Sequence, residues 1–138
     1  MLTSEPIDRD LPPVAHAERV ELRIPARPQY LRLARLTAAG FASDLGFDVE
    51  TLEDLRVAID ELCAVCIADA GPGTTLTLSY GVDGGAVHVD GRVNLPGAQP
   101  PVVHPVARDL LGMMADDYGI ATTPEGRSFW LRKGPRAL

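Results

Sequence analysis

Two hydrophobic periods alternate along this chain. A two-residue alternation over Glu18 to Ile24 (ERVELRI) predicts a strand, and Pro25 and Pro28 bracket the turn after it. From Gln29 to Leu45 the period lengthens to that of a helix, with Leu33, Leu36 and Phe41 among its apolar positions and Gly46 as its stop. A second helix is predicted from Asp48 to Ala70, where Leu52, Leu55, Ile59, Leu62 and Cys66 recur at three- and four-residue spacing. Asp48 can cap its start, and Glu50, Glu53 and Asp54 suit the positive end of the helix dipole. Gly71-Pro72-Gly73 breaks it.

The two-residue alternation then returns. Thr74 to Tyr80 and Ala86 to Val93 flank the Asp83-Gly84-Gly85 turn signal and predict a hairpin. Asn94 to Pro105 carries four prolines and no period, so it is a loop. Val106 to Asp117 predicts a short helix with Leu110, Leu111, Met113 and Met114. Tyr118 to Thr122 and Ser128 to Arg132, either side of a TPEG turn, give a last hairpin. Strands gathered by hairpins, with helices between them, argue for an α+β two-layer sandwich: a mixed or antiparallel sheet with helices on one face. Residues 1–17, with three prolines and scattered charges, read as a flexible tail. The folded domain is expected over residues 18–133, with residues 134–138 as a C-terminal tail.

Charge narrows the function classes. The net charge of -6 argues against direct nucleic-acid binding, which needs lysine and arginine against phosphates. No apolar run approaches the length of a membrane span, and the N-terminus lacks the basic and apolar regions of a secretory signal, so the cytoplasm is the expected location. Cys63 and Cys66 form a CxxC. Two ligands cannot close a zinc site, and a redox pair would sit at a helix N-terminus, so buried structural cysteines are expected. His16, His88 and His104 are too dispersed for a metal site, and Ser43, Ser79 and Ser128 lack a nucleophile setting. Met113 and Met114 fit a core or a partner surface. Arg127, Arg132, Lys133 and Arg136 make the C-terminal segment basic, as a solvated edge strand would be. Asp60 and Glu61 stand out: two carboxylates beside the apolar stripe of the second helix, a costly position unless something uses them.

The element order, with LEDLRVAIDELC in the second helix, resembles the anti-sigma factor kinases of the RsbW type. These belong to the GHKL superfamily of Bergerat-fold ATPases, and the arginine-rich actinobacterial variants look closest. The resemblance covers residues 18 to 133. It places the family glutamate, which polarises an attacking hydroxyl, on Glu61, and the magnesium-holding asparagine on Val65. Valine cannot ligate a hard cation, and the chain's only asparagine is Asn94. The family's adenine-reading Asp-x-Gly-x-Gly loop is reduced to Asp90-Gly91, a weak candidate cofactor contact. Its glycine-rich phosphate lid corresponds to PGAQPPVVHPVARDLLG, where proline supplies no amide. In the first helix, Arg35 matches an arginine that touches sigma factor and antagonist alike in the family, although an ordinary solvated helix arginine fits as well.

The resemblance thus implies an anti-sigma factor with a degenerate nucleotide site. It would sequester an alternative sigma factor as a homodimer, and a STAS-domain anti-anti-sigma protein would compete for the same face. ATP and magnesium enter by resemblance alone, and neither a metal nor another cofactor is expected. The alternative is an active serine/threonine kinase that phosphorylates the STAS antagonist with Mg-ATP. A third is a partner-binding regulator outside sigma control.

Overall fold

The structure, a computed structural model, describes residues 18–136. The tail expected over residues 1–17 lies outside the described residues, and so does His16. The elements run β1 (Arg19–Pro25), a 3-10 turn (Pro28–Tyr30), α1 (Leu31–Asp44), α2 (Val49–Ile67), β2 (Thr75–Asp83), β3 (Ala86–Asn94), α3 (Pro105–Met114), β4 (Asp117–Thr123) and β5 (Gly126–Lys133).

All five strands pair antiparallel, in the order β1-β2-β3-β5-β4. Strand register fixes which side chains share a face, because alternate residues point to opposite sides. The row Leu22, Leu78, Gly91, Phe129 and Ile120 runs across the sheet, as does Ile24, Leu76, Val93 and Arg127. These rows meet the helices in a single core with Ala34, Ala38, Leu55, Ile59, Leu62 and Leu111. The expected α+β sandwich, with helices on one face, is the architecture found.

Local chemistry explains the joints. Gly84 and Gly85 both take positive φ, 60° and 80°, as a two-residue hairpin turn between Asp83 and Ala86 requires. Asp48 caps α2 by accepting the Thr51 N–H at 2.7 Å. Hydrogen bonding with the Thr51 side chain, and then with its N–H, holds the Asp48 carboxyl below its ordinary value. At α3, His104 accepts the Val106 N–H at 3.1 Å, and Pro105 occupies the first helical position.

The structure corrects several sequence expectations. α1 buries Leu31, Ala34, Ala38 and Ala42, while Leu36 is exposed. The alanines let the helix lie close over the sheet, where its Ala34 carbonyl accepts the Tyr80 hydroxyl at 2.9 Å. α2 ends at Ile67, because Ala68 turns extended and Asp69 adopts a left-handed φ of 67°. α3 ends at Met114, and Asp117 already opens β4. The basic C-terminal strand is not an edge. β5 pairs with both β3 and β4, so β4 takes the edge, and Arg127 and Lys133 are buried. Lys133 reaches Asp54 at 4.0 Å and Asp116 at 3.7 Å. The expected C-terminal tail is also tied at its start, through Gly134 N–H to Asp116 and Arg136 to Glu50.

Candidate functional site: a cleft between the second helix and the proline-rich segment

A cleft of about 480 Å³ opens between the C-terminal half of α2 and the segment leading into α3. Glu61, Ala64, Val65 and Ala68 form one wall. Pro100, Pro101, Val102, Val103 and His104 form the other, and Arg127 closes the back. Glu61 and Val65 share this wall because they stand one helical turn apart. The helix thus brings together the two positions that sequence reasoning paired. Glu61 is half-buried, and no hydrogen bond or ion pair to it appears among the described residues. Val65 presents methyl groups where an oxygen ligand was sought. Among the described residues, no group of three or more His, Cys, Asp or Glu side chains is placed to hold a metal ion.

Asp90 and Gly91 do not join this cleft. Asp90 pairs in register with Ser79 and Trp130, which puts it on the sheet face away from the helices. There Arg19 donates to its carboxylate at 2.8 Å, and His88 lies 3.7 Å away. Burial lowers the His88 pKa, against the opposing pull of Asp90. Gly91 faces the helices, and its missing side chain serves packing. A Cβ there would lie 2.2 Å from Cε2 of Phe129.

Arg35 is not freely solvated. Its guanidinium meets Asp60 of α2 at 2.5 Å, with the two side chains 30% and 46% exposed. The first of the two conspicuous carboxylates is therefore used to join α1 to α2, which leaves Glu61 as the one facing the cleft. Cys63 and Cys66 are fully buried free thiols. Burial raises both pKa values, that of Cys66 to about 12, so neither is a ready thiolate.

The residue that sequence reasoning missed is Arg127. It is 3% exposed and donates to the Gln99 carbonyl through Nε at 3.1 Å and Nη2 at 2.9 Å. Nη1 donates to the Ala68 carbonyl at 2.5 Å. One guanidinium thus ties the proline-rich segment to Ala68, the residue that follows α2. The signal was available: Arg127 has the same strand parity as Phe129 and Leu131, so it points into the helix-covered side.

No protein-family model matches the chain. Part of it is 36% identical over 55 residues to the serine-protein kinase RsbW of Bacillus subtilis (strain 168), covering 40% of this chain and 34% of that protein. The RsbW of Bacillus pumilus (strain SAFR-032) is 41% identical over 54 residues, 39% of this chain and 33% of its own. That of Oceanobacillus iheyensis is 42% identical over 48 residues, 35% and 30% of the two chains. Over these stretches the chain is similar to RsbW-type serine-protein kinases. The matches span about a third of the length of the curated relatives. The α+β sandwich agrees with the fold that the sequence resemblance implied. Among the described residues, no helix is long and apolar enough to cross a membrane.

Proposed function

We propose that this protein acts by binding partners rather than by phosphoryl transfer. It is an anti-sigma factor that sequesters an alternative sigma factor in the cytoplasm, as a homodimer. A STAS-domain anti-anti-sigma protein competes with the sigma factor for the α1 face that carries Arg35. The observation that carries this reading is Val65 on the cleft wall beside Glu61. A side chain without oxygen gives a magnesium ion no ligand where the phosphates of a nucleotide would need it. The facing wall supports the same conclusion, since Pro100 and Pro101 offer no backbone N–H to an anion.

The kinase reading keeps one observation in its favour: Glu61 lines the cleft with no partner among the described residues, as a base awaiting substrate would. An affinity pull-down from the host, followed by incubation of the recovered STAS protein with labelled ATP and magnesium, separates the two. Recovery of a sigma factor or STAS protein without transfer of label supports the binding module. Label transfer that is lost in Glu61→Ala establishes the kinase instead. Isothermal titration adds an independent arm: micromolar ATP binding with clear magnesium dependence overturns the degenerate site.

A further inference from the structure

A second hollow, of about 710 Å³, lies at one end of the sheet, with its floor on the face turned away from the helices. Strand register builds that floor. Arg23 of β1, Thr77 of β2, Arg92 of β3 and Ser128 of β5 form one row across four strands, and Thr75 lies in the adjacent row. Two strand spacings put the Arg23 and Arg92 Cα atoms about 10 Å apart, so both guanidiniums can reach a small group above Thr77. Neither arginine has a hydrogen bond or ion pair among the described residues. On a chain of net charge -6, two uncompensated guanidiniums over a row of hydroxyls reverse the local sign of charge. Arg127 touches the same hollow, but its donors are committed to carbonyls. Glu125, on the β4–β5 turn, is the one carboxylate in the lining.

We infer that this hollow binds the phosphoryl group of a small phosphomonoester. Guanidinium forks match phosphate oxygens in paired hydrogen bonds, and threonine and serine hydroxyls can donate to the remaining oxygens. The volume exceeds what one anion needs and falls in the range of small-molecule sites, which leaves room for the organic part of the ester. The hollow is open and polar, so binding rests on charge and weakens as salt rises. Glu125 opposes the anion and holds affinity down. This site shares Arg127 with the α2 cleft, but its anion-binding groups, Arg23, Arg92, Thr77 and Ser128, lie outside that cleft, so it does not rest on the reading of the nucleotide site.

The test is an NMR titration of the full chain with phosphoserine, inorganic phosphate and serine as probes. Phosphoserine is expected to move the Arg23 and Arg92 side-chain signals and the Thr75, Thr77 and Ser128 amides, saturably, with a dissociation constant of about 1 mM or tighter at low salt. Serine moves none of them. Inorganic phosphate binding as tightly as phosphoserine would overturn the ester and leave a simple anion site. Arg23→Ala and Arg92→Ala are each expected to weaken phosphoserine about tenfold, whereas Arg32→Ala, on exposed α1 surface, leaves it unchanged. Glu125→Gln is expected to tighten it severalfold. Absence of saturable shifts, or shifts that survive both arginine substitutions, overturns the site altogether.

Discussion

Removing the Arg127 guanidinium should loosen the proline-rich segment more than the rest of the fold. Arg127 is 3% exposed and holds two carbonyls, Ala68 and Gln99. A hydrogen bond from a charged donor contributes about 1.5–3 kcal/mol. Ala68 and Gln99 are exposed residues, so water can rebind their carbonyls once the arginine is gone. The lower end of the range therefore applies at each anchor, about 3 kcal/mol in all. Loss of the buried methylene stem adds about 2 kcal/mol in Arg127→Ala. Arg127→Met retains much of that stem and so isolates the polar part.

Of the two anchors only Gln99 lies on the segment before α3, so local opening there should become easier by about 1.5 kcal/mol, a rate increase of about tenfold. Hydrogen exchange reads this at the Ala98 amide, bonded to Leu95 O at 3.0 Å, and at the Gly97 amide, bonded to Pro124 O at 3.1 Å. Interior amides of β3 should respond only to the global change. Arg127→Lys keeps the charge but not the fork, and should recover only part of the protection. Asp69, 89% exposed and 3.9 Å from the guanidinium, contributes little, and Asp69→Ala should change exchange by less than twofold or so. Unchanged Ala98 exchange in Arg127→Met, or full protection in Arg127→Lys, would refute the tether.

Other expectations are briefer. Gly91→Ala should cost about 1–3 kcal/mol by denaturant melting, because its Cβ would overlap the Phe129 ring; Phe129→Leu should restore part of that loss in the double variant, and additive effects would rule out the clash. Burial depresses the His88 pKa in the fold, so the unfolded chain takes up its proton first as pH falls. Stability should therefore drop from the unfolded value near 6.5 down to the lower folded value, and His88→Gln should flatten that slope in melts at a series of pH values. Cys63 and Cys66 should label slowly with a thiol reagent in the native state and quickly after denaturation, while fast native labelling would show an accessible thiolate. Arg35→Gln should change stability by less than about 1 kcal/mol, since its ion pair with Asp60 is part-exposed, yet weaken the recovered partner at least tenfold; wild-type affinity would remove Arg35 from the binding face.

Much of this fold was legible because its hydrophobic periods are long and local. The α2 stripe, the Asp48 cap and the Gly84-Gly85 turn are written in adjacent residues, and they occur where the pattern put them. Element ends were harder. Ala68 and Asp69 continue a helical pattern in composition, and only the backbone shows where α2 stops. The insertion of β5 between β3 and β4 depends on pairing between distant segments, and a basic strand gives no sign of it. The resemblance singled out positions 61 and 65, and helix spacing then put Glu61 and Val65 on one wall. The separation of Asp90 from it was not legible, because the face of a strand residue depends on a register that only the assembled sheet fixes. The ion pair of Arg35 with Asp60 was not legible in the sequence, because the two residues lie 25 positions apart on different helices.

The arrangement around the cleft also sets the two functional readings against each other on a property that needs no partner protein. A nucleotide-using lid must open to exchange its ligand and close over phosphates, so its order depends on the nucleotide. Here the segment before α3 is held by a buried protein cation that donates to main-chain carbonyls, and its prolines withhold N–H groups from an anion. Arg127 ties this segment to the end of α2 from within the chain. A binding module built this way should show the same protection at Ala98 with and without Mg-ATP, because the ligand finds no differential contact to favour one state. A kinase should show protection that rises with Mg-ATP and a segment that exchanges freely without it. Nucleotide-dependent protection at Ala98 would place Glu61 back in a working site despite Val65. Nucleotide-independent protection, lost in Arg127→Met, would make the cleft wall a fixed part of the surface that partners meet.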